Sequence, residues 1–361
     1  MNRSEKYWEK ASELFELCQD QPEEKWEDTL KQYSKSDPRM LEDIRKLLRN
    51  KDIASIYFDS FRHRIETELA SRTAQYEFKV GDQTEQFRIL KIIFRSNNTD
   101  IYLATGRDGR FNHKRMAVKV IRSTSAGHST NINFNKERRI LSGLNHPNIV
   151  KLYDEGLTFK GRPYLLMEYI DGVPVDRFCE INEPGFFSRL RIFIQLCDAV
   201  QYIHDNFVIH NDIKPGNILV TEKGRVKLID FGISELLAKG GNISPSKYNF
   251  AGTINYASPE QIKGGPTTKS SDIYQMGLVL NKLITGKHPS PFRYNRNEQE
   301  IAPGLSFITK LLRGKCKEQL SLTARKNFCK IMGKTMSENP ENRYDSVGAL
   351  KNDLRDLVDK Y

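Results

Sequence analysis

The 361-residue sequence predicts an α+β protein with a small all-α N-terminal module, a β-rich middle region and a mainly helical C-terminal region. Apolar residues recur at helical spacing over residues 4–49, and they alternate with polar residues between residues 87 and 121. Beyond Asp171 the apolar periodicity is again mostly helical. Hydrophobic residues make up 38% and charged residues 29% of the chain, a balance that supports packed cores.

The N-terminal module begins with three predicted amphipathic helices. Pro22 and Pro38 suit the first turns of helices, and Asp37 is a ready N-cap for the third helix. The first helix carries apolar residues at helical spacing, namely Tyr7, Trp8, Ala11, Leu14, Phe15 and Cys18. The third helix does so with Met40, Leu41, Ile44, Leu47 and Leu48. We interpret this apolar stripe as core, in preference to a cofactor or partner groove.

A linking helix over residues 53–74 and a polar connector over residues 76–84 are expected next. We therefore predict a domain boundary here, with the helical module and its linker in residues 1–75 and a second domain in residues 76–361. A small antiparallel sheet is predicted in that domain by three alternating segments with β-branched residues, Phe87–Ile93, Asp100–Ala104 and Met116–Ile121.

The charge and cysteine content limit the choice of partner and compartment. A net charge of +11 attracts nucleic acid, anionic lipid or the phosphates of a nucleotide. We favour the nucleotide and expect no nucleic-acid partner, because the basic residues are scattered among acidic ones without interleaved aromatic residues. Five cysteines form no C-x-x-C pair, and no signal peptide or run of ~20 apolar residues occurs. A cytoplasmic protein without membrane contact is expected.

The most informative segment runs from His210 to Asn217 and is followed by an apolar strand and then by Asp230, Phe231 and Gly232. It places Asp212, Asn217 and Asp230 at the ends of short strands. Phosphoryl transfer needs oxygen ligands for Mg²⁺ and a base beside the incoming hydroxyl, and these side chains are of the required types. A single loop aspartate is usually a turn former, but turns alone do not explain the combined segment.

This segment resembles the protein kinase family, whose catalytic loop reads H-x-D-x-x-x-x-N and whose metal-binding loop reads D-F-G. The resemblance implies a bilobal fold, with a β-rich N-lobe near residues 85–169 and a helical C-lobe near residues 171–361. It also implies ATP and Mg²⁺ as cofactors. By this resemblance Asp212 accepts the proton of the substrate hydroxyl, and Lys214 steadies the transferred phosphate. The metal ligands it implies are Asn217 and Asp230.

Other positions match the nucleotide site of the family. By resemblance Lys119 grips the α- and β-phosphates, and Glu137 on the following helix orients it. Their order ahead of the segment from His146 to Val150 supports this match. The segment from Tyr164 to Gly172 is similar to the hinge between the lobes, whose backbone reads the adenine edge. The remaining nucleotide contacts implied are Ile101, Ala117, Met167, Glu168, Ile170 and Leu219.

The segment that ends at Glu260 reads A-G-T-I-N-Y-A-S-P-E and resembles the family's substrate-binding segment G-T-x-x-Y-x-x-P-E. Asp272 and Arg343 match the residues that brace the catalytic loop and Glu260. Lys214 together with Thr253 favours serine/threonine over tyrosine specificity. The resemblance therefore implies protein substrates, and it carries self-phosphorylation as a family expectation.

Two features depart from the family pattern. The glycine-rich loop G-x-G-x-x-G falls at residues 94–99, where no glycine occurs. Asn97 and Asn98 tolerate left-handed backbone better than other non-glycine residues, so we predict a tight hairpin with weakened nucleotide affinity. Asn211 replaces the arginine that commonly precedes the catalytic aspartate, so activation-loop phosphorylation is expected to be unnecessary. We interpret three residues as solvated loop positions rather than acceptors, namely Ser244, Ser246 and Tyr248.

Residues 1–75 also look similar to the helical segment that precedes the catalytic domain in many bacterial serine/threonine kinases. Dimerisation and recruitment are candidate roles of these helices, and inhibition of the catalytic domain stays open as a third. Two alternatives to an active protein kinase stay open. One is a nucleotide-binding pseudokinase that acts as a scaffold, suggested by the missing glycines and Asn211. The other is a small-molecule kinase, a class that generally lacks the segment matched by Thr253 to Glu260.

Overall fold

The computed structural model describes residues 77–96, 99–107, 109–121, 128–231, 235–236, 254–287 and 320–360, together with residues 14, 17–18, 21–22, 25–32, 41, 44–45 and 48. The chain forms two compact units, Met1–Ala74 and Gln75–Tyr361. Within the described residues, no helix combines the length and the apolar character that crossing a membrane requires.

The first unit contains helix α1, Trp26–Gln32, whose first turn is acidic and so complements the helix dipole. The indole Nε1 of Trp26 donates a hydrogen bond to the carbonyl of Gln21 at 3.2 Å. Arg45 donates to both carboxylate oxygens of Glu27 at 2.8 and 3.1 Å. Among the described residues of this unit, the buried apolar positions are Leu14, Cys18, Leu30, Leu41, Ile44 and Leu48, all of them helical.

The second unit begins with a five-stranded antiparallel sheet in the order β1-β2-β3-β5-β4. Its strands are β1 Phe87–Arg95, β2 Thr99–Gly106, β3 Arg115–Ile121, β4 Leu152–Leu157 and β5 Pro163–Glu168. The three strands predicted from alternation are confirmed. Each observed strand runs one to three residues longer than predicted, because backbone pairing continues toward the hairpin ends.

The strand register sorts the sheet's side chains onto two faces, because directly paired residues share a face. Ile101 pairs with Lys119, which in turn pairs with Leu165, and Ala117 pairs with Met167 in the next row of the same face. The opposite face is a closed apolar core made of Phe78, Phe87, Ile89, Tyr102, Ala104, Phe111, Met116, Val118, Val120, Tyr164 and Leu166. The first face is therefore the one available for a ligand.

The connector ahead of β1 belongs to this core. The Phe78 ring packs edge-on against Phe87 and Tyr102, with centroid distances of 5.9 and 5.6 Å. The carboxylate of Glu77 accepts a hydrogen bond from the hydroxyl of Thr158 and lies 3.3 Å from Arg162 Nη1. A segment predicted as a polar connector thus contributes a buried ring and a buried charge to the β-rich lobe.

Helices dominate the rest of the second unit. They are α2 His128–Ser142, α3 Val175–Asn182, α4 Phe186–Asp205, α5 Pro259–Ile262, α6 Lys269–Thr285, α7 Leu322–Thr335 and α8 Val347–Lys360. Short strands are β6 Gly172–Pro174, β7 Val208–Ile209, β8 Ile218–Thr221, β9 Val226–Leu228 and β10 Glu235–Leu236. The predicted fold class, a β-rich lobe followed by a helical lobe, is confirmed.

Helix α6 forms the centre of the helical lobe. Thr268 caps its N-terminus through a side-chain hydrogen bond to the backbone N–H of Ser270, and Gly286 ends it with a left-handed φ of 67°. Almost every residue between these caps is buried. Its polar residues Asp272 and Gln275 are therefore in the interior, where an unpaired polar group is costly. Their hydrogen-bond partners turn out to be the backbone of the catalytic loop.

Several predicted features lie outside the described residues, and they stay predictions. They are Trp8 and its neighbours, the linking helix at 53–74, the loop residues Asn97 and Asn98, Gly232, residues 237–253 with Thr253, and Cys316.

Candidate active site

The loop from His210 to Asn217 connects β7 to β8, and its backbone is held by Asp272 of helix α6. The carboxylate of Asp272 accepts hydrogen bonds from the backbone N–H groups of His210 and Asn211, each at 2.8 Å. Its Oδ2 also lies 2.8 Å from Nε2 of His204. Asp272 is fully buried, so these contacts replace the water it has lost.

Asp212 lies between a cation and a carboxamide. Lys214 Nζ donates to Asp212 Oδ2 at 2.6 Å, and Asn217 Nδ2 donates to the same oxygen and to the Asp212 carbonyl, both at 2.9 Å. Burial raises the pKa of Asp212, and the charge and hydrogen bond of Lys214 oppose that rise. The result is a carboxylate held in place whose basicity exceeds that of an ordinary aspartate.

A second cluster joins the sheet to the segment after β9. Lys119 Nζ on β3 donates to Glu137 Oε1 on α2 at 2.6 Å and to Asp230 Oδ1 at 2.8 Å. Burial by itself lowers the pKa of the Lys119 ammonium, but the charges of Asp230 and Glu137 outweigh burial and raise it. Lys119 is therefore a fixed cation. Phe231 N donates to Glu137 Oε1 at 3.4 Å, which ties the helix to the same segment.

The apolar positions expected around the adenine belong to the five-stranded sheet and to strand β8. Ile101, Ala117, Met167 and Lys119 share the open face of the sheet. Leu219 lies on β8 between Ile218 and Val220, whose side chains are both in the core of the helical lobe. Because strand residues alternate in direction, Leu219 faces away from that core and is only half-buried.

The hinge positions Glu168 and Ile170 have different environments. Ile170 is buried. The Glu168 carboxylate accepts a hydrogen bond from Lys227 Nζ on β9 at 2.7 Å, so its side chain forms an ion pair between the two lobes. The backbone N–H of Glu168 donates to the carbonyl of Lys151 at 2.8 Å, and the nucleotide contact expected of Glu168 stays a prediction.

A comparison with family models matches residues 101–354 to the protein kinase domain. This chain belongs to the protein kinase family. Serine/threonine-protein kinase PknB of Mycobacterium tuberculosis is 32% identical over 284 residues, which cover 75% of this chain and 42% of that protein. Serine/threonine-protein kinase PrkC of Bacillus subtilis is 29% identical over 276 residues, which cover 76% of this chain and 41% of that protein. The predicted resemblance to bacterial kinases is confirmed.

The chain spans about two fifths of the length of these curated relatives. The match to the kinase domain begins at Ile101, on the strand that follows the glycine-free hairpin. Membership of the family implies ATP and a divalent cation.

The site residues suit a divalent cation. Both hydrogen bonds of the Asn217 amide use Nδ2, which leaves its oxygen Oδ1 as a ligand atom. Asp230 supplies a carboxylate on a half-exposed side chain. Among the described residues no three His, Cys, Asp or Glu side chains are grouped as metal ligands. The protein would thus contribute Asp230 and Asn217, and phosphate oxygens and water would complete an all-oxygen shell.

The turn between β1 and β2, which contains no glycine, is held together by hydrogen bonds of Ser96. Ser96 N donates to the carbonyl of Thr99 at 2.8 Å, and Thr99 N donates to Ser96 Oγ at 3.1 Å. At its base Arg95 lies 3.6 Å from the buried Asp100. The predicted tight hairpin is therefore present at the residues that flank Asn97 and Asn98.

Sequence reasoning missed one residue of this hairpin. A β-bulge between Ile92 and Phe94 pairs Phe94 with Ile101, so the Phe94 side chain lies on the open face of the sheet. Phe94, which stands at the first glycine position, is 53% exposed. Three consecutive apolar residues, Ile92 to Phe94, interrupt the alternation of apolar and polar residues in β1. This interruption is the sequence signal that indicates a bulge.

The residues that follow the activation segment are braced as the family pattern implies. Arg343 donates from Nη1 and Nη2 to the two carboxylate oxygens of Glu260 at 2.8 and 2.9 Å. Ser271 Oγ donates to Glu260 at 2.6 Å. Burial would raise the pKa of Glu260, but the hydrogen bonds and charge of Arg343 and the Ser271 bond outweigh it and lower that pKa.

Asn211 departs from the family pattern in a buried position. Its backbone has a left-handed φ of 67°, which asparagine tolerates better than most residues. No described residue forms a hydrogen bond with its side-chain amide. An arginine here would carry a positive charge, and Asn211 carries none.

Proposed function

We propose that this chain is a serine/threonine protein kinase that transfers the γ-phosphate of ATP, with Mg²⁺, to hydroxyl groups of protein substrates and of itself. The observation that supports this most strongly is that two polar clusters lie near enough for the charge of Asp230 to act on Asp212. Asp212 is held by Lys214 and Asn217, and Asp230 is bonded to Lys119. Both relatives described above carry the name serine/threonine-protein kinase.

The mechanism follows from the charges of these residues. Lys119, fixed by Glu137, attracts the α- and β-phosphates of ATP, and Lys214 neutralises charge on the phosphate in transfer. Asp212 accepts the proton of the incoming hydroxyl as its oxygen bonds to the γ-phosphorus, while the bond from that phosphorus to the bridging oxygen breaks and ADP leaves. A bound divalent cation, held by Asp230 and Asn217, would neutralise the nucleotide phosphates. We assign Mg²⁺ because two protein oxygens leave room for the water and phosphate ligands that this ion retains.

A pseudokinase scaffold is less consistent with these contacts. The departures that suggested it, the missing glycines and Asn211, leave the hydrogen bonds of Asp212, Lys119 and Asp230 intact. The glycine-free hairpin accounts better for weakened nucleotide affinity than for its loss. A small-molecule kinase would not require the Glu260 segment and its Arg343 brace.

We further propose a cytoplasmic location, supported by thiols without a C-x-x-C pair. The four described cysteines, Cys18, Cys179, Cys197 and Cys329, are all free thiols. Protein substrates are proposed as the partners. Recruitment or dimerisation through residues 1–75 stays a prediction.

The test is to incubate the purified protein with γ-labelled ATP and a generic basic protein, with Mg²⁺, with Ca²⁺ or with EDTA. We expect label on serine and threonine of the added protein and of the chain itself, with Mg²⁺ only. Absence of label in protein under all conditions would contradict the proposed activity. Label on tyrosine, or only in small molecules, would contradict the proposed substrate class.

A further inference from the structure

Gln275 lies on helix α6, three residues after Asp272, so the two side chains leave the same face of the helix. Gln275 is 1% exposed. Asp272 accepts hydrogen bonds from the backbone N–H groups of His210 and Asn211, as described above. The next backbone groups of the catalytic loop, on either side of Asp212, are bound by Gln275.

The amide of Gln275 spans the residue that serves as the base. Its Nε2 donates to the carbonyl of Asn211 at 2.8 Å, and its Oε1 accepts from the N–H of Ile213 at 2.8 Å. These are the backbone groups directly before and directly after Asp212. The two bonds restrain the φ and ψ angles that direct the Asp212 side chain.

The same amide reaches the substrate-binding segment. Gln275 Nε2 also donates to Oε1 of Gln261 at 2.9 Å. Gln261 in turn donates from Nε2 to the Asn211 carbonyl at 3.1 Å and accepts from the N–H of Ser258 at 2.9 Å. Both glutamine amides therefore connect the loop before Asp212 to the residues that receive the protein substrate.

We propose that Gln275 is a positioning residue for phosphoryl transfer, which orients Asp212 toward the hydroxyl presented by the Gln261 segment. This inference rests on the proposed kinase activity. It implies that losing the Gln275 amide lowers kcat, since a base displaced by about 1 Å can cost about 10²-fold in rate. The KM for ATP should not change, because the hydrogen bonds of Lys119, Glu137 and Asp230 do not involve Gln275.

Gln195 on helix α4 offers a matched control. Its Nε2 donates to the carbonyl of Gly224 at 2.9 Å, and its Oε1 accepts from the N–H of Val226 at 3.1 Å. It thus bridges two backbone groups in the same way, at the turn between β8 and β9. Gln275→Met and Gln195→Met remove equivalent hydrogen bonds, but Gln195 is only partly buried, so Gln195→Met should lower the free energy of unfolding by no more than Gln275→Met does.

We expect Gln275→Met to lower kcat by about tenfold to a hundredfold, with the KM for ATP within about twofold of the wild-type value. Gln195→Met should keep the wild-type kcat. Gln275→Asn keeps a buried amide that is too short to reach both backbone groups, so it should lower kcat even if the methionine variant does not fold.

The measurements are steady-state transfer to a protein substrate, nucleotide affinity and urea unfolding of the full chain. The inference is overturned if the Gln275 variants keep the kcat of Gln195→Met, or if they lose nucleotide affinity in proportion to rate. If the wild-type protein itself transfers no phosphate, the proposed function fails before Gln275 is tested. An active wild type with unaffected Gln275 variants would contradict this inference alone.

Discussion

The basicity of Asp212 depends on two opposed effects at a single carboxylate. Burial raises its pKa, and Lys214, 2.6 Å away, counteracts the rise. A higher pKa makes Asp212 a stronger base. It also means that Asp212 becomes protonated, and so inactive as a base, at a higher pH. The lysine therefore keeps the base ionised as well as assisting the phosphate.

Lys214→Met should move the acid limb of the pH–rate profile to higher pH. The ionised form of Asp212 is the active one, so activity is lost as pH falls through its pKa, and removing the cation raises that pKa. The measurement is kcat/KM from pH 5 to 9. Lys263→Met, which removes a cation from an exposed ion pair with Glu338, should leave the limb where it is. An unshifted limb in Lys214→Met would contradict this view of Asp212.

At the scale of elements, the Glu260–Arg343 pair joins the end of the substrate segment to the loop before helix α8. The Arg343 guanidinium is fully buried and also donates to the carbonyls of Ser270, Ser337 and Glu338. Its planar fork meets both Glu260 oxygens, a geometry that lysine does not reproduce. Removing it would strand a buried carboxylate.

Arg343→Met should reduce the free energy of unfolding by about 3–5 kcal/mol at neutral pH. Because the pKa of Glu260 is lowered in the folded state, its contribution is present above the ordinary glutamate pKa and is lost as pH falls through the lowered value. The difference between wild type and variant should therefore shrink in acid. Urea unfolding at pH 7 and near pH 3 measures it.

The control for this prediction is again Lys263→Met, whose ion pair with Glu338 is exposed. That change should cost at most about 1 kcal/mol. An Arg343 variant that is no less stable than Lys263→Met would show that the buried pair does not brace the segment.

The sequence predicts the features whose interacting residues are close together along the chain, and it does not predict those whose partners are far apart. Strands β1, β2 and β3 follow from alternation within seven to nine residues, and Asp212, Asn217 and Asp230 follow from a short motif. Gln275 carries no local signal, since its partners Asn211 and Gln261 lie 64 and 14 residues away in sequence. Such contacts form only when helix α6 packs beneath the loop.

At the scale of the whole molecule, the connector between the two units is part of the catalytic unit. The sequence predicts a polar connector over residues 76–84, and no local pattern marks Phe78 as a core residue. Its ring is nonetheless buried against Phe87 and Tyr102, both distant in sequence. The anchored connector fixes where the chain enters the β-rich lobe.

Phe78→Ala should lower the stability of the catalytic unit by about 3–5 kcal/mol, the usual cost of removing a buried aromatic ring. Phe159→Ala is the control, because its ring is 86% exposed and its loss should change stability by about 0.5 kcal/mol or less. The two variants are compared by urea unfolding of the full chain. Transfer activity is used as the probe because it reports on the catalytic unit. Equal stabilities would mean that the connector is not part of the core.

The most direct test compares the wild type with Asp212→Asn and with Asp198→Asn, which changes a carboxylate on helix α4 that pairs with Lys351. Transfer from labelled ATP to protein and nucleotide affinity are measured on the same samples. We predict that Asp212→Asn keeps its affinity for ATP and loses about 10² to 10⁴ in kcat, the usual contribution of a positioned base. Asp198→Asn should match the wild type in both measurements. Transfer by Asp212→Asn at the wild-type rate would contradict the assignment of the base and the proposed mechanism with it.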